Sequence, residues 1–187
     1  MGREYTFEIK QALIHYDPDE LEKWKQGDPA IVPPHVLKWN GPGRQNGYGY
    51  GEHVVKRHLT GQGFQVIVND YNFFPVKKSK FHINNAIIQE AIGKERYARL
   101  QKAFGTVINQ GVRIEHPDIC IFQPELIFAE VKRDRDRLRQ PQVMFAAVVS
   151  AVLNIPFLSY RVLPVGANPD MSTLLIRQEL PEEVFIV

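Results

Sequence analysis

Two short apolar runs, residues 119–122 and 126–131, are separated by Gln123-Pro124-Glu125. Runs of this length bounded by turn residues predict buried strands, paired here as a hairpin. Upstream, loose alternation over residues 4–14 predicts another strand. Asp17-Pro18-Asp19-Glu20 then supplies an N-cap, a proline at the first helical position and a glutamate placed to close a capping box. That helix should stop at Gly27, and the Pro- and Gly-rich residues 28–51 predict a connector. A helix over 52–59 ends at Gly61 and Gly63, and residues 64–74 form a strand. Ile87, Ile88, Ala91, Ile92, Leu100 and Phe104 predict one helix over 84–104, capped by Asn84-Asn85, weakened at Gly93 and stopped at Gly105. Pro141 opens a helix that is apolar nearly all round through Val143, residues 145–149 and Val152, hence buried. Asn154-Ile155-Pro156 ends it, residues 157–165 return as a strand, and 174–176 and 184–187 add edge strands. The order predicts an α/β fold, a mixed sheet flanked by helices. Residues 1–45 form an N-terminal extension, and 46–187 form the main domain with a helical insertion at about 84–104.

The chain has 187 residues, 44% hydrophobic and 24% charged, enough for one domain with a sizeable core. Its formal charge of +2 does not by itself call for nucleic acid, but the distribution does more. Lys132, Arg133, Arg135, Arg137 and Arg139 stand within eight positions against only Asp134 and Asp136, and Lys77, Lys78 and Lys80 form a second cluster. A solvated face is the plain reading of such runs; beside a carboxylate site the arginines gain weight as phosphate contacts. Cys120 is the only cysteine, which excludes an intrachain disulfide or a Cys-type zinc site and suits a small core residue. The start of the chain lacks the apolar core of a signal peptide and no run reaches spanning length, so a cytoplasmic protein without a membrane partner is expected. The glycines from Gly47 to Gly51 follow no strand and precede no Gly-Lys-Ser/Thr, so they are a weak match to a phosphate-cradling loop and read better as the lead into the helix at Glu52.

The chemistry concentrates on the hairpin. Side chains alternate along a strand, so Glu130 and Lys132 point the same way, and pairing through the 123–125 turn brings Asp118 to the same end as Glu130. Two carboxylates and a lysine suit holding a hard divalent cation and steering a water at a phosphodiester. A solvated ion pair is the plain alternative, though charge at the end of an apolar strand is costly without a task.

Pro117-Asp118, Glu130-Val131-Lys132, Asp136-Arg137-Leu138, Gln142 and the aromatic Phe145 together resemble the VRR-NUC (virus-type replication-repair nuclease) group of the PD-(D/E)XK superfamily. The resemblance is close over 117–145 and loose over 46–165. Arg133-Asp134-Arg135 replaces the group's Gly-Pro linker, and Phe145 stands for its usual tryptophan, which leaves subfamily and substrate open. It implies a restriction-endonuclease-like fold and metal-dependent DNA endonuclease activity in repair, replication or restriction. Asp118, Glu130 and the Val131 carbonyl would hold Mg²⁺ or Mn²⁺. Lys132 would position or deprotonate the water, with Gln142 orienting it. Arg133, Arg135, Arg137 and Arg139, with Lys77, Lys78 and Lys80, would contact duplex or branched DNA, and a homodimer would suit cutting of both strands. The superfamily also places an acidic residue on the helix before the first core strand. Glu52 stands there, and an anion stabilising a helix N-terminus reads equally well. A nuclease-fold protein that binds DNA without cutting it is the competing reading; the intact Asp118, Glu130 and Lys132 speak against it.

Overall fold

The computed structural model describes residues 2–38, 43–74 and 80–186. Its six strands are β1 (Gly2–Tyr16), β2 (Gln65–Val68), β3 (Ile119–Gln123), β4 (Ile127–Arg133), β5 (Phe157–Pro164) and β6 (Leu174–Pro181). They form one sheet in the order β2-β3-β4-β5-β1-β6. Neighbours β2, β3 and β4 run antiparallel; β4, β5 and β1 are parallel, and β6 is antiparallel to β1. The helices are α1 (Pro18–Gln26), α2 (Pro34–Leu37), α3 (Tyr50–Gly61), α4 (His82–Ile92), α5 (Lys94–Asn109) and α6 (Gln140–Leu153). This is an α/β fold with a mixed sheet flanked by helices, as the order of apolar runs predicts.

Alternation along the strands builds two cores. On β4, Phe128 joins residues from α4, α5 and α6, while Ile127, Ala129 and Val131 face α1 and α3. α6 is apolar all round because it lies between the sheet and α5; residues 145–149 are fully buried, and the Phe145 ring packs against Phe73, Phe104 and Phe128. β1 changes neighbour midway. Residues 2–9 pair with β6, and residues 10–16 pair with β5. The first half buries Phe7 and Ile9 on one face, and the second buries Ile14 and Tyr16 on the other.

Several expectations change. The segment expected as an N-terminal extension supplies an interior strand, and Leu21 and Trp24 of α1 enter the core, so it is built into the sheet. Asp17 caps α1 by accepting from the Asp19 N–H at 2.9 Å and Gly27 ends it at φ 80, but Glu20 closes no capping box. It accepts from Arg57 on α3 at 2.6 and 3.0 Å instead. The connector contains α2 and a 3-10 turn at Arg44–Asn46. β2 ends at Val68, six residues early, because Asn69 takes a left-handed φ of 57 and turns the chain. The helix expected over 84–104 is two, broken at Gly93, whose φ of 88 leaves the helical region. α5 runs through Gly105 to Asn109, a glycine inside a helix costing only about 1 kcal/mol against alanine. At the tail, β6 is longer than expected, and a 3-10 turn at Glu182–Phe185 replaces the last strand, whose residue 187 lies outside the described residues. Among the described residues no helix is long and apolar enough to cross a membrane.

Candidate active site

Hairpin register brings the carboxylates together. Ile119 pairs with Ala129, so Asp118, one residue before β3, comes beside β4 and its Oδ2 accepts the Val131 N–H at 2.9 Å. Glu130 and Lys132 project from β4 on the α6 side and are 1% and 6% exposed. The Lys132 Nζ donates to Glu130 Oε1 at 2.8 Å. Gln142, one turn into α6, donates through Nε2 to the same oxygen. Its own Oε1 accepts the Arg139 N–H at 2.9 Å, so the helix start fixes which way the amide points. Glu130 Oε2 is buried beside the Asp118 carboxyl and accepts no N–H among the described residues.

Glu52 approaches from the other face, in the first turn of α3. That approach depends on the preceding glycine: a Cβ at Gly51 would lie 3.1 Å from Val131 Cγ1. Asn69, which the sequence pattern buries inside a strand, joins here as well. Its N–H donates to the Asp118 carbonyl at 2.8 Å, and its side chain lies near enough to Glu52 to favour that carboxyl's ionised form. The signal was the residue type, because asparagine tolerates the left-handed region better than most residues.

Three carboxyls in one partly buried place perturb one another. Burial first, and the Glu130 charge second, push Asp118 up to about 7. Burial also raises Glu130, and the neighbouring Lys132 offsets part of that rise. Glu52 is raised by burial and then by Asp118.

These groups line a cavity of about 480 Å³, walled on one side by Gly47, Tyr48 and Gly49. The basic run divides around it. Arg133 donates to the Gly47 and Asn46 carbonyls at 2.5 and 3.3 Å and so braces that wall. Arg139 lines the cavity and pairs with Glu115 at 2.8 Å; Glu115 also pairs with Arg113 at 2.7 Å. Arg135 and Arg137 are exposed and make no ion pair among the described residues. Arg161 holds their turn by donating to the Asp134 and Asp136 carbonyls at 2.7 and 2.5 Å. Lys80 is exposed, with its ammonium 4.7 Å from the Phe81 ring centre, and is not part of the cavity lining; Lys77 and Lys78 lie outside the described residues. His116, next to Pro117, is structural: its Nε2 accepts the Phe73 N–H at 2.9 Å, and burial pushes it down to about 4.

Among the described residues no group of three or more His, Cys, Asp or Glu forms a ready-made metal cage. The donor set is nevertheless all oxygen, as Mg²⁺ and Mn²⁺ prefer, and the buried Glu130 Oε2 beside the Asp118 carboxyl fits a cation held between the two. Compared with known proteins, the chain matches no family model, no curated protein and no solved structure.

Proposed function

We propose that this chain is a divalent-metal-dependent DNA endonuclease with a restriction-endonuclease-like core of the PD-(D/E)XK kind, akin to the VRR-NUC group. The observation that carries the reading is the division of labour on Glu130. One oxygen is held by Lys132 and Gln142, and the other is buried beside the Asp118 carboxyl with no N–H donor on it among the described residues. A surface ion pair would leave neither oxygen buried. The order α3, β2, then β3, β4, α6 and β5 after the inserted α4 and α5 supports the same core.

Asp118, Glu130 and the Val131 carbonyl would hold Mg²⁺ or Mn²⁺. Such a cation lowers the pKa of a water and offsets charge on the phosphoryl oxygens. Lys132 keeps one N–H on Glu130 Oε1 and turns its others toward the attacking water. Gln142 stops Glu130 rotating, so its other oxygen keeps its aim. Arg135 and Arg137, on a turn held by Arg161, reach the backbone phosphates, and Arg139 does so at the cavity itself. Asn69 and Gly51 position Asp118 and Glu52 without touching substrate.

Cleavage of labelled linear, flap and four-way DNA in Mg²⁺ and Mn²⁺ tests this. Asp118→Ala and Glu130→Ala should abolish metal-dependent cutting while DNA binding persists. Lys132→Met should keep the metal in a calorimetric Mn²⁺ titration yet lose ~10²–10⁴ in single-turnover rate, the range for a positioned acid or base. Near wild-type cutting by either carboxylate variant would overturn the assignment.

A further inference from the structure

Glu115 lies on the segment leading to Asp118 and holds two guanidiniums at once. Its Oε1 is 2.7 Å from Arg113 Nη2, and its Oε2 is 2.8 Å from Arg139 Nη2. The carboxylate's own place is fixed from three directions. Ile114 is buried in the larger core, the His116 ring accepts the Phe73 N–H, and the Glu115 N–H donates to the Pro141 carbonyl in α6 at 3.1 Å. Its partners are far more open: the side chains of Arg113 and Arg139 are 78% and 64% exposed, against 19% for Glu115. Ion pairs this exposed contribute little to stability, so folding alone gives no reason to order two long side chains on one anchored carboxylate. Without it the two cations would repel each other and part. Arg139 lines the carboxylate cavity and Arg113 does not, so the pair carries positive charge outward from the cavity mouth.

We infer that Arg113 and Arg139, paired by Glu115, form a clamp for a DNA backbone phosphate next to the one that reaches the carboxylates. This rests on the nuclease reading and deepens it, adding Arg113 as a phosphate contact and Glu115 as the positioning residue. Each guanidinium has five N–H donors, so contact with Glu115 leaves others to offer. Its planar fork matches a phosphate through two parallel hydrogen bonds, and the trio keeps a net positive charge. Glu115 also removes part of the cost of binding, since side chains already held in place lose less freedom when the phosphate arrives.

Charge alone and the clamp predict opposite signs for one variant. Glu115→Gln removes an anion from the interface, so by charge alone DNA should bind more tightly. By the clamp, binding should weaken, because the two guanidiniums are no longer held together. Fluorescence anisotropy of a labelled duplex over a range of salt, in a chelating buffer that prevents cutting, reads the sign and the slope. Arg113→Gln should weaken binding alike across unrelated sequences and lower the slope of log K against log salt by about 0.9, one phosphate contact. Glu115→Gln should lower it in the same direction, and the double variant should be no weaker than Arg113→Gln alone. Tighter binding by Glu115→Gln, or an unchanged slope for Arg113→Gln, would overturn the clamp even if cleavage is robust. Arg113 is exposed enough that its variant tests the clamp should Glu115→Gln fail to fold. Comparing duplexes with 5′-phosphate and 5′-hydroxyl ends separates the two phosphate sources: loss confined to the phosphorylated ends would overturn the backbone assignment. The predicted slopes in a protein that never cuts would overturn the nuclease reading and leave the clamp standing. Absence of DNA binding at any salt would overturn both.

Discussion

Asp118 carries the clearest consequence of a single residue. Its carboxyl is pushed from an ordinary 3.8 to about 7, chiefly by burial. Between those values the folded protein holds a proton that the unfolded chain has already released, so stability falls as pH rises from about 4 to about 7. The metal-free protein should thus melt at a lower temperature at pH 8 than at pH 5. Adding Mn²⁺ at pH 8 should recover the loss, since a ligand that binds only the folded state stabilises it. Asp118→Asn should flatten the pH slope and cancel the recovery; thermal melts in a chelating buffer, with and without Mn²⁺, read all of this. Sequence alone made Asp118, Glu130 and Lys132 legible as candidates, because a strand's two-residue period and the hairpin turn fix their directions, whereas Gln142 entered through the family resemblance. Asn69 was passed over, since its residue type hints at a left-handed turn but only the backbone conformation places it at the site.

Helix α3 and strand β4 meet through a glycine, and that contact sets where Glu52 stands. With 3.1 Å between a would-be Cβ and Val131 Cγ1, Gly51→Ala demands a shift of a few tenths of an ångström, and Gly51→Val demands a real displacement of the helix. Gly51→Val should cost about 1–3 kcal/mol, the usual cost of overpacking, seen as a lower urea midpoint. If Glu52 serves the site, it should also weaken Mn²⁺ binding beyond what Glu52→Gln does. Wild-type stability in Gly51→Val would show that α3 is not closely seated. Element boundaries were legible where local chemistry writes them, as with Asp17 and Gly27 around α1 or Pro141 in α6. They were not where one backbone conformation decides: Gly93 splits a single apolar stripe into α4 and α5, and Phe73, a core ring, extended the apparent reach of β2.

Across the whole molecule, the sheet depends on its first strand. β1 lies between β5 and β6, and in that sheet it is the strand that joins them. Deleting residues 2–16 should therefore prevent folding rather than trim an appendage, giving a chain without a cooperative melt by circular dichroism; a folded, metal-binding remainder would show the segment to be dispensable. Nothing in the apolar pattern of residues 4–14 says which strands they join, because pairing partners lie about 150 to 180 positions away and local periodicity carries no address.

The neighbour switch midway along β1 acts as a firebreak. Glu130 stands level with Ser159 on β5, and Ser159 with Gln11 on β1, so the row of the sheet that carries the carboxylate ends inside the half of β1 that β5 holds. The other half, residues 2–9, shares its ladder with β6 alone. Fraying that begins at the Gly2–Pro181 end of this ladder can peel β6 away, pair by pair, as far as Ile9 and Leu174, and then runs out of ladder to follow. The carboxylate row begins two residues further on, so breathing at that margin leaves it in register.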